Sequence, residues 1–402
     1  MKYNTNIHTN RRRRRRDDSG VALILALLFI ALLTVIVVEF SYETQVEASF
    51  AANQGSDLEA YLAAKSGVAR GIALLASDLI ESEISGEPEF DSMLDPVPWS
   101  FGVPFEPLNG AFSRTTIADE YGKINLNALF DTSSGRPEER EFLVDVLREF
   151  FILRYPEDKE SPDAIVDAIM DWLDYDDGDA VRPEGAENDY YNGLENPYPC
   201  KNGPMDSIEE LLLIKGITPK VFFGDPKKEQ LPLTEYLTVH GDWQGRVNIN
   251  TAREEVIAAV IAAGGGVPDL SLAQQIYDEV RMEPVVHVSQ LDRYGLGSST
   301  RKQQRPQLPP QLQQSNAPPE LQDPATGQPQ QGFIVSSNVF RIYGDGMLED
   351  VLVRIEAYVW RTPLNPAEAG LIPNQQQGDP GGLTEESIPL EPFRILDWKV
   401  IR

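Results

Sequence analysis

Cysteine is nearly absent: Cys200 is the only one among 402 residues, so no disulfide within the chain can staple the fold. Histidine is almost as scarce, with His8, His240 and His287 alone, and neither a Gly-Lys-Ser/Thr phosphate loop nor a Gly-x-Ser-x-Gly elbow occurs. Catalysis finds little support in this inventory, and the expectation is a protein that is not an enzyme. Basic residues are also few, 35 Lys and Arg against 63 Asp and Glu, for a net charge of -28. Seven of the bases, Lys2 and Arg11 to Arg16, lie before Asp17, so the rest of the chain is more acidic still. Such a surface repels nucleic acid and anionic lipid, and it suits divalent cations or basic partners.

One long apolar run is present, Val21 to Val38, without a charge among its 18 residues. As a helix it spans roughly 27 Å, close to the hydrocarbon core of a bilayer. The arginines before it predict a cytoplasmic N-terminus and a body on the far side. A secretory signal peptide is disfavoured, because the polar residues after Val38 offer no small-x-small cleavage site. Leu58, Leu62, Val68, Ile72, Leu75 and Leu79 continue the helical pattern to about residue 80.

Further along, five prolines between Ser82 and Pro107 predict a loop with an edge strand near Ser100 to Phe105, and Ala111 to Ala118 alternates as a strand does. Gly122-Lys123-Ile124-Asn125-Leu126-Asn127 returns as Gly245-Arg246-Val247-Asn248-Ile249-Asn250. Each copy reads as a short strand whose second asparagine caps the next helix, Glu138 to Leu153 in one case and Arg253 to Ala263 in the other. The two are expected to be neighbouring strands that bracket a helical block. Inside that block, Ser161-Pro162-Asp163 starts a helix with Ile165, Ile169 and Trp172 on one stripe, ending near Asp174. Asp206 to Ile217 resembles half of a helix-hairpin-helix, with a fainter echo from Val288 to Gly295; the acidic surroundings argue against nucleic acid and for helix packing. After the Gln- and Pro-rich stretch 298–332, two strands are expected around a hairpin turn at Gly344-Asp345-Gly346, with a last edge strand over Phe393 to Val400.

The densest carboxylate cluster is Asp171, Asp174, Asp176, Asp177, Asp179, Glu184, Glu187 and Asp189, interleaved with glycines and countered only by Arg182. Hard oxygens on a glycine-containing loop are what Ca²⁺ prefers. The Asp174-x-Asp176-x-Gly178 opening is not an EF-hand, because the twelfth position is Gly185. A merely solvated acidic loop and a catalytic metal site are the competing readings.

A basic leader that ends in Gly20 directly before the apolar Val21 resembles the leader of type IV prepilins and pseudopilins, which a prepilin peptidase cuts after the glycine and methylates. Most members carry Glu at the fifth mature position; here it is Leu25. Asp171-Trp172-Leu173-Asp174-Tyr175-Asp176, Gly185 to Tyr191, Asn202-Gly203-Pro204 to Leu211 and Val247 to Ala252 together resemble the minor pseudopilin K family of type II secretion. That resemblance implies a pilin-like α+β fold, with a long N-terminal transmembrane helix on an antiparallel sheet and a large inserted all-α domain. The expected layout is a leader over 1–20, a membrane segment over 21–38, a pilin-like part from 81–130, 243–252 and 333–402, and an inserted domain over 131–242 that continues into 253–297. The resemblance further implies bound calcium, a place at the periplasmic pseudopilus tip with I-type and J-type minor pseudopilins, and an inner-membrane anchor. Spacing nominates Asp174, Asp176, Glu187 and Asp189 as first calcium ligands, then Asp179 and Glu184. A minor pilin of a type IV pilus and a membrane-anchored periplasmic metal-dependent hydrolase are the alternatives.

Overall fold

The uninterrupted helical pattern of the N-terminal region forms one helix, α1 (Asp18–Ser85), in a computed structural model that describes residues 18–85, 90–93, 99–133, 135–155, 161–175, 181–228, 230–266, 268–294, 296, 332–362 and 393–401. The Gln- and Pro-rich 298–331 lie outside them. Two compact units divide at Glu59/Ala60. In the first, every residue from Gly20 to Gly55 is exposed; its Val21 to Val38 stretch, apolar all round, cannot remain in water and needs lipid or other helices around it.

The second unit contains β1 (Val103–Leu108), β2 (Ala111–Asp119), β3 (Ile124–Asn125), β4 (Phe130–Asp131) and β5 (Glu138–Glu139). Then come α2 (Glu141–Arg154), α3 (Pro162–Leu173), α4 (Asn188–Tyr191), α5 (Pro219–Phe223), β6 (Leu237–Thr238) and β7 (Val247–Asn248). It ends with α6 (Glu254–Ala263), α7 (Leu270–Val280), β8 (Phe333–Ile334), β9 (Val339–Leu348), β10 (Val351–Arg361) and β11 (Phe393–Ile401). An antiparallel sheet of order β1-β2-β9-β10-β11 lies against the end of α1. Everything from β3 to β8 is inserted between the adjacent strands β2 and β9.

The sheet approaches α1 unusually closely. Ser113 and Thr115 donate their hydroxyls to the carbonyls of Ala63 and Gly67, at 2.9 and 2.8 Å. A Cβ on Gly344 would sit 2.1 Å from the carbonyl oxygen of Ala64, and one on Gly346 1.8 Å from that of Ala60. This corrects the expected hairpin turn: Gly344-Asp345-Gly346 is mid-strand in β9, glycine being required by the helix backbone, and the reversal falls at Glu349 (φ 52°) and Asp350.

The insert is built twice on one plan. In the first copy Asn125 Oδ1 accepts from the Asn127 amide at 3.1 Å, and Asn127 clamps the backbone of Met205, donating to its carbonyl at 2.9 Å and accepting from its amide at 2.8 Å. In the second, Asn248 Oδ1 accepts from the Asn250 amide at 3.1 Å, and Asn250 clamps Val285 at 2.9 and 2.8 Å. Each clamp is followed three residues later by a 3₁₀ turn, Ile208–Leu213 and Val288–Tyr294. Glu210 and Gln290 close those turns alike, their Oε1 atoms accepting from Asp206 N (2.7 Å) and Val286 N (2.8 Å). The second asparagines therefore do not cap α2 or α6, whose N-caps Arg140 and Arg253 make no side-chain cap bond. The copies touch, Asn248 donating its amide to the Tyr121 carbonyl at 2.8 Å, but their strands pair elsewhere: β3 with β6 and β7 with β8, both parallel. Residues 243–252 thus contribute no strand to the five-stranded sheet, and Val247, Ile249 and Ala252 belong to the helical core.

A polar layer separates the helical core from the sheet core. Buried Arg361 donates to Asp78 (3.0 Å) and Asp91 (2.8 Å), and Asp119 accepts from Ser337 (2.7 Å), Asn248 (3.1 Å) and Thr251 (2.5 Å). Burial, with the charge of Asp91 nearby, pushes the Asp119 carboxyl up to about 6.

Candidate metal centre

Helix α3 starts as expected, Ser161 Oγ accepting from Ala164 N at 3.1 Å with Pro162 at its first position. Its apolar stripe of Ile165, Ile169 and Trp172 is buried. Asp171 lies in its last turn and Asp174 is its C-cap, with no basic residue in that turn. Two carboxylates at a helix C-terminus oppose the helix dipole and call for a cation. Past the residues that lie outside the described set, Glu187 forms the N-cap of α4 and comes back to the same place. One oxygen from each of Asp171, Asp174 and Glu187 lies within 4.8 Å of the others; Asp171 and Glu187 are buried and Asp174 is half-buried.

The basic side chains around this geometry are largely engaged elsewhere. Arg182 donates its amide to Asp171 at 3.3 Å, and its guanidinium is shared between a long ion pair with that carboxylate, at 3.7 Å, and a close one with Glu139. Lys215 is spent on the carbonyls of Glu184 (3.0 Å) and Gly185 (2.9 Å), and Lys201 on Asp206 and Glu210, each at 2.6 Å. Gly185 makes room: a Cβ there would come 1.9 Å from Asp171 Oδ2. Below the cluster, Trp172 and Tyr198 flank Tyr191 with ring centroids 5.3 and 5.5 Å away. A recess of about 530 Å³, lined by Phe130, Glu139, Tyr175 and Arg182 among others, opens beside Asp174.

Burial, together with the charge of Glu187, pushes the Asp171 carboxyl up to about 6. Burial and Glu187 push the Cys200 thiol up to about 12, so the single cysteine is a neutral neighbour, its Sγ 3.5 Å from the Asp171 carbonyl. An all-oxygen donor set of three close carboxylates fits a hard divalent cation better than a soft one. When bound, such a cation would supply charge compensation and tie α3 to α4.

Of the residues nominated from sequence, Asp174 and Glu187 come together. Asp176 and Asp179 lie outside the described residues. Glu184 is exposed and accepts from the Ser161 hydroxyl at the opposite end of α3, while Asp189 is exposed in the first turn of α4. Asp171, named in the cluster but not chosen as a ligand, is the third member.

An N-terminal helix of membrane-spanning apolarity that continues onto an antiparallel sheet defines the pilin-like class. Three comparisons narrow it. The family described as "Type II secretion system (T2SS), protein K" matches residues 122–223. Type II secretion system protein K of Aeromonas hydrophila is 27% identical over 241 residues, 59% of this chain and 68% of that protein. The fold aligns with a chain in the crystal structure of the GspK-GspI-GspJ complex from the enterotoxigenic Escherichia coli type 2 secretion system, with TM-score 0.55 and 16% identity over 88% of this chain and 99% of that one. Sequence and fold are thus both similar to protein K of type II secretion, and together they support a minor pseudopilin role in that system.

Proposed function

We propose that this minor pseudopilin sits at the tip of the periplasmic pseudopilus, anchored by Val21 to Val38 with its N-terminus in the cytoplasm and its body in the periplasm, and that it assembles there with I-type and J-type minor pseudopilins. The observation that carries the reading is the helix whose every residue from Gly20 to Gly55 is exposed: it is built to pass from lipid into a bundle of like helices. The solved relative is itself in a GspK-GspI-GspJ complex. Leu25 in place of the usual Glu suits a subunit with no neighbour above it, and so does a helical insert as large as the sheet domain. Prepilin peptidase would cut between Gly20 and Val21 and methylate the new N-terminus.

The role is structural rather than catalytic. Calcium on Asp171, Asp174 and Glu187 would hold the acidic loop of the insert closed. Co-expression of the full chain with I-type and J-type partners, followed by size-exclusion in detergent, tests the assembly: a ternary peak is expected, and a persistently separate chain contradicts it. Intact mass of the product tests the processing, with a methylated chain starting at Val21 expected and an uncut one contradicting it.

A further inference from the structure

The face of the five-stranded sheet turned away from α1 can be read row by row across the strands. The outermost row is apolar: Pro107, Phe112, Met347 and Leu352 stand directly opposite one another on β1, β2, β9 and β10. The second row is Arg114, Asp345, Arg354 and Ile401. The third is Thr116, Tyr343, Glu356 and Lys399, and the fourth is Ala118, Arg341, Tyr358 and Asp397. The residues that follow β2 and the helical insert meet this face at Arg341, Tyr358 and Lys399 of the fourth and third rows, while Thr116 and Asp397 in those rows stay exposed. Arg341 is 3.1 Å from Glu120, Tyr358 packs at a tilt against His240 with ring centroids 4.4 Å apart, and Lys399 meets Glu209 at 2.6 Å. Among the described residues, no side-chain bond from the insert reaches the two outer rows, where Phe112 is 42% and Leu352 52% exposed. Among the described residues, the insert therefore meets only part of this sheet face, and the two outer rows receive no side-chain bond from it.

The outer rows are organised. Asp345 is buried and held by Arg114 Nε at 2.7 Å and Arg354 Nε at 2.6 Å. Those two bonds outweigh its burial and keep its carboxyl below the usual range. Each guanidinium also lies over a ring, Arg114 over Phe105 at 4.8 Å and Arg354 over Tyr343 at 5.2 Å. Two arginines share one carboxylate, so this row carries a surplus positive charge in a chain of 63 acids and 35 bases. Both arginines remain more than a third exposed and keep donors free for a partner. Pre-ordered arginines are among the residues enriched in interface hot spots, and the apolar side chains beside them supply area that a partner can bury. A second copy of this chain packed face to face would oppose arginine with arginine, which disfavours self-pairing.

We infer that the outer two rows are the docking surface for another pilin-like subunit, one that lays apolar side chains on Phe112 and Leu352 and sets a carboxylate against Arg114 and Arg354. The inference rests on the proposed assembly with other minor pseudopilins and adds the surface through which it forms.

The test uses the full chain in detergent with I-type and J-type partners, comparing wild type with Phe112→Ser/Leu352→Ser and with Leu352→Asp alone. Affinity for the partner pair is expected to fall at least about tenfold in both variants, with the thermal midpoint of the isolated chain held within about 2 °C because both positions are exposed. Wild-type affinity is expected to weaken with added salt. Should the double variant melt lower, Leu352→Asp decides alone. Wild type that binds and variants that bind equally overturn the docking surface while leaving the assembly intact. Wild type that never binds overturns the assembly itself. Variants that bind the partners normally but lose binding to phosphatidylglycerol vesicles make the face a lipid contact and overturn the inference.

Discussion

The two copies within the insert share a strand, an asparagine clamp, a helix pair and a closing 3₁₀ turn, yet they join the second helix to the clamp very differently. From α7 to Val285 the second copy needs only residues 281–284, whereas from α3 to Met205 the first spends residues 174–204. All the carboxylates of the candidate centre except Asp171 sit in that longer connection, and Asp171 is the last helical acid before it. The plan common to both copies holds itself together through backbone clamps. The elaboration of one copy brings like charges together and needs something more.

The largest effect is expected where the plan is shared. Asn250→Ala orphans the buried amide and carbonyl of Val285 and is expected to cost about 3 kcal/mol in thermal or denaturant unfolding. Asn127→Ala removes the equivalent clamp and a bond to Val239 O at 3.1 Å, but at a half-buried site, so about 2 kcal/mol is expected. Equal losses would show that the copies are energetically equivalent; no loss at either would break the repeat as a structural unit.

Next comes the elaboration. Glu187→Gln or Asp171→Asn removes a charge from the three-acid cluster and is expected to weaken calcium binding, read by calorimetry, at least about tenfold, or about 1.4 kcal/mol. The same substitutions should lessen calcium-dependent stabilisation, whereas an unchanged affinity would remove these residues from the site.

A smaller effect is expected from pH at Asp119, which joins the copies by accepting from Asn248 and Thr251 of the second and from Tyr121 N (2.8 Å) just before the first. Its carboxyl is raised to about 6, so the native state holds this proton more tightly than the unfolded chain. That contribution is complete below the ordinary carboxylate range and fades as pH rises through about 6. Between about pH 5 and pH 7 the wild type should therefore lose stability relative to Asp119→Asn; parallel pH profiles would contradict this. Smallest of all, Glu184→Ala and Asp189→Ala, at exposed positions away from the cluster, should change stability by less than about 0.5 kcal/mol and leave cation affinity within about twofold.

Much of this was legible in the residues. The apolar run, the start of α3, the outer strands and the repeated Gly-basic-aliphatic-Asn-aliphatic-Asn motif are local signals, and each marked a real element. What the motif's second asparagine does was not legible, because Asn127 and Asn250 bind backbone 78 and 35 residues further on, and a helix cap is the only role that local spacing suggests. Gly344 and Gly346 misled for a related reason. Paired glycines in a strand-rich stretch read as a turn, and only the α1 backbone pressed against them explains their place in β9. In the acidic loop the sequence nominated Asp174 and Glu187, which the fold brings together. Asp171 was overlooked because it reads as one more polar position on an amphipathic helix until Glu187 is folded back onto it.

Hydrogen–deuterium exchange of the full chain in detergent, with calcium and then with excess EGTA, tests most directly whether a cation holds the elaborated copy closed. Faster exchange is expected across residues 181–204 and the C-terminal turn of α3 once calcium is removed, with residues 245–294 unchanged. Identical exchange in the two conditions, or equal loosening of both copies, would contradict the account.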